Sequence, residues 1–238
     1  MVAIAGRLFG LGVGPGDPEL LTLKALRLLR AAPVVAYLSS EQGDSFARSI
    51  VAVWLEPGQR EIPIRIPMQP RQPPDGIYDA AAAELTTELE RGNNVALLCQ
   101  GDAFFYGSFG HLFARLAGRY RVEVVPGVSS ITACAAAAST PLVMRDETLA
   151  VIPATVDKTE IARRLSESDS VAIVKVGRHF PKVRQILHEL GLLDSARYIE
   201  RATLPNQHVS SLACVDAARV PYFSMILICR RSLIERKE

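Results

Sequence analysis

Neither sign of charge dominates this chain, and that excludes a first class of function. Lys and Arg number 27 against 25 Asp and Glu, a net of +2, whereas a protein built to grip nucleic acid carries a strong basic excess. No stretch approaches the ~18 consecutive apolar residues of a membrane span. The opening MVAIAGRLFG has no basic leader, so neither a membrane protein nor a signal peptide is expected. Four scattered cysteines, Cys99, Cys134, Cys214 and Cys229, form no Cys-x-x-Cys pair. They read as reduced thiols of a cytoplasmic protein, three of them in apolar surroundings. Also missing are H-E-x-x-H, G-x-S-x-G, any metal-ligand cluster and any nucleophile–base pair.

What is present is an alternation of strand and helix signals. At 238 residues with 49% hydrophobic and 22% charged content, the chain can bury a core without staples. In the first half, strands are expected at Arg7–Val13, Pro33–Tyr37, Ile62–Ile66, Asn93–Cys99 and Val122–Val125. Ile62–Ile66, interrupted by proline, suits a sheet edge. Helices are expected at Pro18–Arg30, Ser45–Leu55, Ile77–Arg91, Tyr106–Ala117 and Val128–Ser139. Within them, Leu20, Leu23 and Leu26 share a stripe with Leu28 and Leu29, and Glu84, Glu88 and Glu90 face out. Pro67–Gly76, with four prolines in ten residues, reads as a loop.

After Ser139-Thr140-Pro141 the character changes. Strands at Leu149–Pro153 and Ser170–Val176 alternate with helices at Asp157–Ser166 and Pro181–Leu190. Three strand-like segments then follow almost without helix: Ala196–Glu200, Val209–Cys214 and Tyr222–Cys229. The expected fold is therefore α/β in two domains, 1–143 and 144–238, with the boundary near Thr140–Glu147. The first sheet should be mostly parallel and the second mixed.

The polar chemistry gathers where strands end. Gly10-Leu11-Gly12-Val13-Gly14-Pro15-Gly16-Asp17-Pro18 has glycines that let the backbone approach a ligand, yet it is neither G-x-G-x-x-G nor a Walker loop. It serves equally as a tight turn with Asp17 as N-cap and Pro18 at the first helical position. Gln100-Gly101-Asp102-Ala103-Phe104-Phe105-Tyr106 follows the most apolar strand, where open α/β sheets place their ligands. The alternative is that Asp102 caps the next helix and the rings are core. Pro126-Gly127-Val128-Ser129-Ser130 repeats the pattern, its serines capping a helix, bonding a ligand, or both. So do Val174-Lys175-Val176-Gly177-Arg178-His179 and Ile199-Glu200-Arg201-Ala202-Thr203. His111 and His188 read as surface residues of helices, while His179 and His208 fall near these strand ends.

In this order, these segments resemble the tetrapyrrole (corrin/porphyrin) methylase family. The resemblance rests on Gly12-Val13-Gly14-Pro15-Gly16-Asp17-Pro18-Glu19-Leu20-Leu21-Thr22, on Gly101-Asp102-Ala103-Phe104-Phe105-Tyr106-Gly107 and on Pro126-Gly127-Val128-Ser129-Ser130. It extends to Glu200-Arg201-Ala202-Thr203 and Tyr222-Phe223-Ser224-Met225. Two departures stand out: Ala103, where the family usually has proline, and Gln100, where glutamate or glycine is commoner. Leu98–Phe109, the run from Gly12 to Ala25 and Ile66-Pro67-Met68 are most similar to the branch that methylates carbon-20 of precorrin-2 in cobalamin biosynthesis.

The resemblance implies two α/β domains with S-adenosylmethionine (SAM) in the cleft between them, usually in a homodimer. It assigns the cofactor to Pro15, Gln100, Gly101, Asp102, Phe105, Ser129, Ser130, Val176 and Ala202. It implies no metal held by the protein, no nucleic-acid or membrane partner, and a tetrapyrrole as substrate. Because that substrate is rich in carboxylates, Arg145, Lys175, Arg178 and Arg201 are the cations expected to meet it. No catalytic base is assigned. Open alternatives are the cobalt-containing substrate, another ring position, ribosomal RNA as substrate, and a non-catalytic binder of SAM or tetrapyrrole.

Overall fold

A computed structural model describes residues 5–66 and 75–230. The chain divides into two compact units, Met1–Ser129 and Ser130–Glu238. The loop expected at Pro67–Gly76 lies outside the described residues except for Asp75 and Gly76, which open a helix. The expectation for the N-terminus likewise rests partly on residues outside them, 1–4.

The first unit runs β1 (Leu8–Gly12), α1 (Leu23–Ala31), β2 (Val34–Ser39), α2 (Phe46–Val51), β3 (Arg60–Arg65), α3 (Asp75–Glu90), β4 (Val95–Cys99), α4 (Phe109–Leu116) and β5 (Val122–Val125). Its sheet has the order β3-β2-β4-β1-β5, and every ladder is parallel. Alternate strand residues feed two cores. Leu8, Ala36, Ile62 and Leu97 pack with Leu85 and Leu89 of α3 and with Leu112 and Leu116 of α4. Phe9, Leu11, Val35 and Leu98 pack with Leu28 and Leu29 of α1 and with Ile50 and Val51 of α2. Each fully buried leucine contributes about 1.5–3 kcal/mol of transfer free energy. As its proline implied, β3 is an edge strand.

The first unit departs from its sequence pattern in two helices. The single helix expected over Pro18–Arg30 is a 3-10 turn, Pro18–Leu20, followed by α1. Asp17 caps the turn through the Glu19 N–H, Leu21 is extended, and Thr22 caps α1 through the Ala25 N–H. That break rotates Leu23 out of the stripe, leaving it 86% exposed while Ala25, Leu28 and Leu29 are buried. In α3, Glu84 and Glu90 do face out, but Glu88 is buried. It accepts from Arg60 and Arg91 at 2.7 Å each and from the Asn93 side chain at 2.8 Å. These partners hold its carboxyl below the usual range, the Asn93 hydrogen bond most of all.

The second unit runs α5 (Ser130–Ala137), β6 (Leu149–Pro153), α6 (Lys158–Glu167), β7 (Ser170–Val174), α7 (Phe180–Glu189), β8 (Ala196–Glu200), β9 (His208–Ser211) and β10 (Ser224–Cys229). Its sheet has the order β6-β7-β10-β8-β9. The β6–β7 ladder is parallel and the other three are antiparallel, the mixed sheet expected. One face packs on α6 and α7 through Ile161, Leu165, Phe180 and Leu187. The other face packs on α5 through Ile131, Ala133 and Cys134. That packing puts α5 with the second unit, whereas the sequence boundary falls after it. Strand β7 ends at Val174, two residues short of expectation, because Lys175 has a left-handed φ of 57°.

Candidate active site

In the first sheet, β1 connects leftward to β2 while β4 connects rightward to β5 across β1. Right-handed crossovers then send α1 and α4 to opposite faces, as the two cores show. The chain's direction thus reverses between the neighbours β4 and β1, and ligands of open α/β sheets settle outside the carboxyl ends of such strands. At that point the first two glycine loops meet. Gly14 and Gly101 form an antiparallel bridge, with N···O distances of 2.8 and 3.2 Å, and the Val13 N–H donates to the Cys99 carbonyl at 2.9 Å.

The third loop closes on the other two. A Cβ on Gly127 would lie 2.1 Å from the Gly101 carbonyl oxygen, and one on Gly12 would lie 2.4 Å from the Gly127 nitrogen. Backbone therefore packs directly on backbone among the loops after β1, β4 and β5. Gly10 is needed for a different reason, since the ring of Phe109 lies where its Cβ would be.

Asp102 locks this junction. One carboxylate oxygen accepts the Phe104 N–H at 2.9 Å and the other accepts the Gly127 N–H at 3.0 Å. Asp102 therefore does not cap α4, for which the N-cap Ser108 makes no side-chain bond. The rings divide between core and surface. Phe109 is core at 2% exposure, while Phe104, Phe105 and Tyr106 are exposed by 55, 40 and 49%. Phe104 leans on Phe109 and Phe113, and Phe105 meets Tyr106 edge-on at 5.0 Å. Helix α4 starts three residues later than expected because Tyr106 adopts φ 53°.

Of the expected cofactor residues, Pro15 and Gly101 are buried in this junction, Asp102 is half-buried and Gln100 and Phe105 are exposed. Ser129 closes the same unit, and Ser130 is the first residue of α5 in the next. Beneath the loop, burial pushes the Cys99 thiol up to about 12, with the Asp102 charge adding to it. At neutral pH it is a packed thiol rather than a nucleophile.

The second unit gathers its share at one end of its sheet. Strands β7 and β8 both run antiparallel to β10, so their carboxyl ends flank its start, where Ser224 pairs with Glu200. Lys175, Val176, Arg178, Arg201 and Ala202 all lie there. Val176 is fully buried and Ala202 9% exposed; Lys175 and Arg178 are exposed, and Arg201 half-buried. Lys175, Arg201 and Thr203 take φ values of 57, 51 and 71°, which are costly for L-residues and cluster at functional sites. Burial, reinforced by Lys182 and Arg178, lowers the pKa of His179, which favours its neutral imidazole. Arg145 is not brought to them. It precedes β6, whose first residue Leu149 pairs with Ser170 at the start of β7. The length of β7, five residues at ~3.3 Å each, separates that end from Lys175.

Residue spacing did not single out Tyr198, Glu200 and Ser224, which tie this end together. The Tyr198 hydroxyl donates to Glu200 at 2.6 Å, and Arg201 donates to the same carboxylate at 2.8 Å. Ser224 Oγ accepts the Gly177 N–H at 3.3 Å and donates to the Pro221 carbonyl at 2.8 Å. Among the described residues, no group of three or more His, Cys, Asp or Glu side chains is placed to hold a metal ion. No described helix is long and apolar enough to cross a membrane.

Comparison with known proteins agrees with this architecture. The family model Tetrapyrrole (Corrin/Porphyrin) Methylases matches residues 7–213. The cobalamin biosynthesis protein CobIJ of Mycobacterium tuberculosis is 44% identical over 232 residues, which cover 94% of this chain and 46% of that protein. The chain thus spans about half the length of that relative. The precorrin-2 C(20)-methyltransferase of a Sinorhizobium species is 40% identical, over 94% of this chain and 95% of its own. A solved structure of uroporphyrin-III C-methyl transferase from Thermus thermophilus, complexed with S-adenyl homocysteine, aligns with a TM-score of 0.68 at 26% identity. It covers 94% of this chain and 98% of that one. With a family model spanning most of its length and a relative matched almost end to end, the chain belongs to the tetrapyrrole (corrin/porphyrin) methylases.

Proposed function

We propose that the chain is a SAM-dependent C-methyltransferase that methylates carbon-20 of precorrin-2, giving precorrin-3A in cobalamin biosynthesis. The observation that carries the cofactor half of this reading is the three-loop junction held by Asp102 at the carboxyl ends of β1, β4 and β5. The substrate half is supported by the Sinorhizobium relative, whose length matches this chain.

The donor set fits the cofactor. Gly101 has open space where a side chain would stand, its nearest neighbour being the Val128 carbonyl at 3.9 Å. Each Asp102 oxygen has accepted one N–H and keeps a further lone pair for a hydroxyl. The exposed face of Phe105 suits a flat heterocycle. Pro15, Gln100, Gly101, Asp102, Phe105 and Ser129 would hold the group, and Ser130, Val176 and Ala202 complete the set that the family resemblance assigns. When bound, SAM supplies an electrophilic methyl group on a sulfonium.

What remains for the chain is orientation and exclusion of water. Holding two reactants in near-attack geometry is worth about 7–11 kcal/mol in favourable cases. The glycine junction suits that task, since backbone packed on backbone and the two Asp102 hydrogen bonds leave its loops little room to shift. Lys175, Arg178 and Arg201 offer charge to the substrate's carboxylates. Arg145, at the far end of the second sheet, belongs to this set on the sequence reading alone. The same reading makes the enzyme a cytoplasmic homodimer.

Anaerobic mass spectrometry of enzymatically generated precorrin-2, incubated with SAM and this chain, tests the proposal. A mass gain of one methylene on the metal-free substrate is expected. A gain only on the cobalt complex would reassign the substrate and keep the cofactor site. No gain on either, with SAM bound, would overturn the choice of tetrapyrrole.

A further inference from the structure

Across the end of the second sheet runs a line of polar groups that the cofactor does not require. It begins in the core with Tyr198, 1% exposed and packed edge-on against Phe180 at 5.7 Å. A buried phenol needs a partner, and this one has the Glu200 carboxylate at 2.6 Å, with the buried Ser224 hydroxyl beside it. Glu200 in turn holds the Arg201 guanidinium at 2.8 Å. The Arg201 backbone is fixed as well, its N–H donating to the Phe223 carbonyl at 2.9 Å with φ at 51°.

An ion pair of neighbouring residues on a surface contributes little to stability. Here it is anchored to a buried hydroxyl that is itself satisfied by the carboxylate, and it is set on left-handed backbone, which costs free energy. A core built for stability alone would place phenylalanine at 198 and a β-turn glycine at 201. The arrangement instead removes the rotational freedom of one guanidinium, which is half-buried with its remaining N–H donors unspent on Glu200. A planar fork with spare donors, held still, is the group that recognises a carboxylate in two-pronged fashion.

We propose that Tyr198 and Glu200 are positioning residues that fix Arg201 as a carboxylate clamp for the tetrapyrrole's acidic side chains. The inference rests on the proposed function and deepens it. Arg201 touches the substrate; Tyr198 and Glu200 act only through Arg201. Lys175 and Arg178, from the loop after β7, add charge at the same end of the sheet.

The test uses the full chain and two readouts: anaerobic absorbance titration of precorrin-2 in the absence of SAM, and steady-state turnover. R201A is expected to weaken tetrapyrrole binding by about tenfold or more, the loss of one charge-assisted contact. Y198F and E200Q should each raise Kd and KM for the tetrapyrrole by about three- to tenfold, with kcat and the calorimetric Kd for SAM within about twofold. The decisive result is coupling: E200Q introduced into R201A should add nothing, because its effect passes through the arginine.

Additive effects, or a normal Kd in E200Q beside a weakened R201A, would overturn the positioning role and leave Arg201 as a substrate cation. A normal Kd in R201A overturns the clamp itself. If the unmodified chain binds no precorrin-2, the functional reading fails first, a separate and recognisable outcome. Y198F keeps the ring that packs on Phe180. If it nonetheless melts early, E200Q at the solvent edge carries the test.

Discussion

The carboxylate of Asp102, at the end of β4, accepts the backbone N–H of Gly127 from the loop after β5, at 3.0 Å. The two residues stand 25 apart in sequence and flank β1, so the bond ties together loops whose strands do not pair with each other. It makes Asp102 a fastener of the junction, beside the cofactor contact that the proposed function gives it.

Asp102→Ala should therefore weaken SAM binding by about tenfold or more, since it deletes a partly buried acceptor worth about 1–3 kcal/mol to each group it served. Asp102→Asn keeps one acceptor oxygen and should fall between the two. Calorimetric titration with SAM decides; an unchanged affinity in both variants would remove this loop from the site.

Gly127→Ala is a sharper probe of the junction. Its added Cβ meets the Gly101 carbonyl oxygen at 2.1 Å, so one loop must retreat. The expected outcome is loss of measurable SAM binding with a cooperative but lowered melting transition. Gly110→Ala is the control, being in α4 with nothing within 4 Å of the new Cβ. It should stabilise the chain by about 0.5–1 kcal/mol and leave SAM affinity as it was. Equal effects of the two substitutions would count against a backbone-packed site.

Much of this was legible in the sequence, and the reasons differ by residue. Val95–Cys99 is unbroken apolar sequence, the mark of a parallel strand covered on both faces. The glycine loops announced close backbone approach, and the structure shows which surfaces approach. Glu88 is misplaced by helical spacing, which sets it beside Glu84. Its burial depends on Arg60, 28 residues away, and on Asn93 just past the helix, neither of which a periodicity contains. The Tyr198–Glu200–Arg201 line, by contrast, is local, with Tyr198 and Glu200 on one face of β8, and only the Phe223 carbonyl that fixes the Arg201 backbone comes from the neighbouring segment. In the sequence it shows only as alternation and one short motif.

Glu88 gives a pH-dependent prediction. Its carboxyl titrates below the ordinary range because Asn93, then Arg60 and Arg91, favour the charged form. A group depressed in the folded state contributes stability that is present above its unfolded value, ~4.3, and lost as pH falls through the folded value. Glu88→Gln should lower the urea midpoint at pH 7, by a loss of about 1–3 kcal/mol. The gap between variant and parent should narrow below about pH 4. A gap constant from pH 7 to pH 3 would mean that the carboxylate's charge does not matter.

Lys175 sets stability against function at a single position. Its φ of 57° costs an L-residue roughly 1–2 kcal/mol, a penalty that glycine does not meet. Lys175→Gly therefore removes strain and charge together. Glycine's greater freedom in the unfolded chain costs ~0.5–1 kcal/mol in return, so the melting temperature should hold or rise slightly. Tetrapyrrole KM should rise by about three- to tenfold, the loss of one charged contact, while SAM affinity stays put. A lowered melting temperature with unchanged KM would make the lysine's role structural. Stability kept and substrate affinity lost is the expected split if the backbone at the end of β7 is held left-handed for the sake of the cation it presents.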